Sequence, residues 1–67
     1  MTGLVFAGTQ QQVSRDVREQ LPNLPPLVFV GGGQPHCAAM LIDPQRMTVK
    51  AACFATLQER VNTTAAW

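Results

Sequence analysis

No charged side chain occurs between Glu19 and Asp43. This uncharged span, Gln20 to Ile42 with His36 counted as neutral, constrains the chain more than any other feature. It holds the apolar runs Leu27-Val28-Phe29-Val30 and Cys37-Ala38-Ala39-Met40-Leu41-Ile42, broken by Pro22, Pro25, Pro26, Gly31, Gly32, Gly33 and Pro35. Proline removes a helix donor and clashes with the preceding turn, and a helix needs about 20 consecutive apolar residues to cross a bilayer. The span is therefore neither one long helix nor a membrane segment. It is expected to fold as short extended pieces and turns.

Length narrows the choice further. The chain has 67 residues, room for one small domain over residues 1–67, with 63–67 a frayed tail unless Trp67 docks. Such a domain buries only about 60% of the surface its unfolded chain exposes, so its core is thin. A disulfide, a metal or a second subunit often supplies the missing margin. The apolar share of 46% is that of a globular protein, while charged residues make up only 13%, about half the usual fraction. The net charge of +1 gives no electrostatic footprint for nucleic acid or anionic lipid. The N-terminus carries no basic region, and the apolar run Leu4 to Ala7 is too short for a signal peptide. A cytoplasmic protein is expected, in which Cys37 and Cys53 stay reduced.

Hydrophobic patterning divides the chain into elements. Leu4-Val5-Phe6-Ala7, bracketed by Gly3 and Gly8, reads as a strand. Thr9 and Gln12 have capping-box spacing, and Val13, Val17 and Leu21 recur every four residues, so a helix is expected over 10–20 with its charges on the outer faces. Leu27 to Val30 reads as a second strand. The connection between these strands is long enough for a parallel crossover. Beyond it, two readings compete. Residues 37–42 and 47–54 form a hairpin turning at Asp43-Pro44-Gln45-Arg46, or Asp43 caps one long helix that starts at Pro44. The alternation of Met47, Val49 and Ala51 with Thr48 and Lys50 favours the hairpin. A helix then runs from Ala55 to about Asn62. The fold class is α+β: strand, helix, strand, hairpin and C-terminal helix, with β-α-β-α as the alternative.

Motifs carry little chemistry. The loop Gly31-Gly32-Gly33-Gln34-Pro35-His36-Cys37 resembles a phosphate cradle only in its glycines. It lacks the lysine and Ser/Thr spacing that such loops use, so it is expected to be a turn. His36 and Cys37 are adjacent on a strand and point to opposite faces, which does not suit a nucleophile with its base. If Ile42 faces Met47, Cys37 falls near Ala52 and Cys53, within reach of a diagonal disulfide. Two cysteines and one histidine are too few for a zinc site within one chain. Asn62-Thr63-Thr64 matches a glycosylation sequon, read as chance without a secretion signal.

These features point to a small non-enzymatic interaction module. It self-associates as a homodimer or binds, and in doing so inhibits, a larger protein. Val28, Val30, Met40 and Ile42 are its candidate interface or core residues. No cofactor, metal or membrane contact is expected. A first alternative is ligand binding or thiol chemistry at Gly31, Gly32, Gly33, His36 and Cys37. A second is weak nucleic-acid binding through Arg15, Arg18, Arg46 and Lys50.

Overall fold

A computed structural model describes residues 4–67. Among them the order is β1 (Val5–Gly8), α1 (Gln10–Gln20), β2 (His36–Asp43), β3 (Thr48–Phe54) and α2 (Leu57–Ala66). This is the expected mixed α+β architecture with the hairpin. The strands form one antiparallel sheet in the order β1-β2-β3. Gly3, expected to open the first strand, lies outside the described residues.

The first helix forms where its capping chemistry places it. Thr9 Oγ1 accepts from the Gln12 N–H at 3.2 Å, and Gln12 Oε1 accepts from the Thr9 N–H at 2.9 Å. Two otherwise orphaned donors are thereby satisfied. Val13 and Val17 project onto the sheet and are fully buried. There they meet Cys37, Ala39, Ala51 and Cys53, with Phe6, Leu21, Leu24, Leu27, Phe29 and Val49 around the margin. The sheet residues under the helix are small, so α1 lies close to the strands.

The opposite sheet face is formed by the alternate residues: Val5 and Ala7 of β1, Ala38 and Met40 of β2, and Lys50, Ala52 and Phe54 of β3. α2 packs there, across β2 and β3. Thr56 caps it, accepting from the Glu59 N–H at 3.1 Å. The helix runs to Ala66 instead of ending near Asn62. Trp67 is half-buried, and its N–H donates to the carbonyls of Thr63 and Thr64, so the tail is not frayed.

Two further expectations are corrected. Leu27–Val30 is not a ladder strand, because it joins β3 only by an isolated parallel bridge, Val30 to Ala52. Three prolines in five residues remove the donors a longer ladder would need. The segment still runs parallel to β1, as a crossover requires, but at the other edge of the sheet. The hairpin register is also shifted by one residue. Leu41 pairs with Val49, and a bulge follows between Leu41 and Asp43. Met47 belongs to the turn, in the left-handed region at φ 55°. Asp43 Oδ1 accepts from the N–H groups of Gln45 and Arg46. The capping ability that would have started a long helix is used in a single turn.

Candidate interaction surfaces

The shifted register decides the fate of the cysteines. Cys37 pairs directly with Cys53. Leu41 donates to the Leu4 carbonyl, so Leu4, Phe6 and Gly8 exchange hydrogen bonds with Leu41, Ala39 and Cys37. The backbone of Cys37 thus points to β1. That of Cys53 points to Val30, whose carbonyl accepts the Cys53 N–H at 2.7 Å. The cysteines therefore occupy a non-hydrogen-bonded pair, the site where opposed side chains come closest. Their Cα atoms are 3.9 Å apart and the sulfurs are bonded. The pair is opposed, not diagonal, and buried beneath α1.

The loop Gly31–Cys37, the alternative ligand site, is a turn packed against this bond. The Gln34 N–H donates to the Gly31 carbonyl at 3.4 Å, closing a turn. Gly31 has φ +75°, and a Cβ there would lie 2.7 Å from the Cys53 carbonyl oxygen. Only glycine fits both that conformation and that approach. The loop leads into a strand, so no helix N-terminus follows it to receive a phosphate. Cys37 offers no free thiol, and its sulfur contacts the Gln34 carbonyl oxygen at 3.6 Å. His36 faces the other side of the sheet, opposite Phe54. No three potential metal-ligating His, Cys, Asp or Glu side chains converge among the described residues.

The candidate nucleic-acid contacts do not share a surface. Arg15 and Arg18 lie on the outer side of α1, where Arg15 pairs with Asp16 and Glu19 at 3.7 and 3.9 Å. These exposed pairs contribute little to stability. Arg46 pairs with Asp43 in the hairpin turn. Lys50 projects from the opposite sheet face.

The candidate interface residues separate into two groups. Met40 and Ile42 are half-buried on β2. Val28 and Val30 are 83% and 73% exposed. The alternation of an extended segment explains the second pair, since Leu27 and Phe29 turn inward onto the core. Beside the valines an open groove of about 590 Å³ runs past Ala52, Phe54 and Trp67. A second groove follows the far edge of the sheet, between β1 and α2, and sequence reasoning did not find it.

The class defined by this geometry is a small disulfide-linked α+β domain whose described helices are too short to cross a membrane. Comparison with protein-family models, with characterised proteins and with solved structures finds no match to the chain.

Proposed function

We propose that the protein is a small non-enzymatic interaction module that self-associates through the Leu27–Val30 segment, and that the same surface can occlude a larger partner. One observation carries this reading: two apolar side chains, Val28 and Val30, are mostly exposed beside a largely apolar groove. Adjoining exposed apolar groups of this kind favour interfaces. The backbone adds to the case. Val30 uses both its N–H and its C=O on β3, so Phe29 directs its own backbone groups outward. An antiparallel pair of these segments about a two-fold axis would join Phe29 to its mate and bring four valines together.

Light scattering during size exclusion tests this directly. The wild type is expected to run as a dimer at high concentration, and the double variant Val28→Asp/Val30→Asp as a monomer of nearly unchanged melting temperature. Exposed substitutions away from caps and turns usually alter stability by less than about 0.5 kcal/mol. A wild-type chain that stays monomeric at millimolar concentration would rule out self-association.

Location bears on the cysteines. A cytoplasmic home, proposed from the sequence, requires the buried bond to persist against the reducing thiol pool, whereas an oxidising compartment would maintain it. Acid-quenched alkylation of the protein in its native host tests this: free thiols at Cys37 and Cys53 favour the cytoplasm, and a bonded pair favours an oxidising compartment.

A further inference from the structure

Among the described residues, no strand pairs with the outer edge of β1. Leu4, Phe6 and Gly8 direct their backbone groups to β2, as the bond from the Leu41 N–H to the Leu4 carbonyl sets the phase. Val5 and Ala7 consequently direct their N–H and C=O groups away from the sheet. Both residues are exposed. Such an edge is a template for another extended backbone.

The edge has a wall. Val61, Thr64 and Ala65 of α2 stand beside Val5 and Ala7 and leave an open groove of about 350 Å³ between helix and strand. Val61 is 53% exposed. Its apolar surface suits side chains that alternate along an added strand. The groove also has a charge. Among the described residues Arg60 lines it, no carboxylate does, and Arg60 enters none of the ion pairs. Outward backbone donors and acceptors beside an apolar helix wall are the parts from which strand-addition peptide sites are made, and Arg60 adds a cation that no ion pair among the described residues uses. A second copy of this chain would offer the same groove lining, with another Arg60 and no carboxylate among the described residues. A segment bearing a carboxylate complements the charge.

We propose that the β1–α2 groove binds an extended acidic segment of a partner protein, which adds a strand to β1 and sets a carboxylate against Arg60. This surface lies at the sheet edge opposite Val28 and Val30 and is independent of self-association there.

The test is selection of a phage-displayed random heptapeptide library on the full chain, followed by titration of the selected synthetic peptides. The enriched sequences are expected to alternate β-branched residues and to carry Asp or Glu, and to shift the amide signals of Val5 and Ala7. Arg60→Gln should weaken their binding about fivefold, the effect of one exposed charge pair. Ala7→Pro removes an outward donor without removing a bond to β2 and should weaken it at least as much. Val28→Asp/Val30→Asp should leave it unchanged, which separates this site from the dimer surface. The proposal is overturned by a library that yields no enrichment, by peptides that shift Val28 and Val30 instead, or by affinity unchanged in Arg60→Gln. Signals of Val5 and Ala7 that move on dilution without peptide would assign the edge to a second copy and overturn it equally.

Discussion

Replacing Cys37 and Cys53 together by alanine is expected to lower the free energy of unfolding by about 3 kcal/mol. The two residues are separated by 16 positions, and closing a loop of that length in the unfolded chain accounts for about 3 kcal/mol in the chain-entropy description. A domain of this size has only about 3–10 kcal/mol in total. The melting temperature should fall by about 15 °C, since each kcal/mol shifts it by about 4–8 °C in a domain this small. Thermal melts with and without a strong reductant check the cause. Reductant should lower the wild-type midpoint by a similar amount and leave the double variant where it is. A wild type indifferent to reductant, with its thiols shown to be free, would mean that packing holds the hairpin without the bond.

Val13→Asp should have the larger effect and abolish folding at ordinary temperature. Val13 is fully buried, and none of the core residues around it is charged. A carboxylate there would have to shed its water with no compensating donor, at a cost of several kcal/mol. Val28→Asp makes the same chemical change at a position that is 83% exposed, and it should cost less than about 0.5 kcal/mol. Circular dichroism of the two variants compares one substitution across the full range of burial. A folded Val13→Asp protein would mean that α1 does not sit on the sheet as described.

Local chemistry was legible in the sequence. Thr9, Gln12 and the spacing of Val13 and Val17 specify α1, and alternation across Thr48 to Ala51 specifies the second arm of the hairpin. What the sequence left open depended on distant parts of the chain. Asp43-Pro44 suits a turn and a helix start equally, and only pairing of β3 with β2 decides between them. The register includes a bulge between Leu41 and Asp43, which no local pattern announces, so the sequence puts Cys37 near Ala52 and diagonal to Cys53, and the structure puts it directly opposite Cys53. Val28 and Val30 could not be sorted into core or surface, because Leu27-Val28-Phe29-Val30 is apolar on both sides. The groove at β1 escaped notice for a similar reason. Leu57, Val61 and Ala65 are spaced along one helix face, but that face gains meaning only beside a strand that lies at an edge.

The order of the strands also implies an order of assembly. β2 and β3 are neighbours in the chain and meet across a short turn, so their pairing needs little loop closure. β1 pairs residues far apart in sequence, Val5 with Met40 and Gly8 with Cys37, and must wait until the whole crossover has been drawn in. The hairpin is thus suited to nucleate the domain, and β1 to join last and to leave first when the native state breathes.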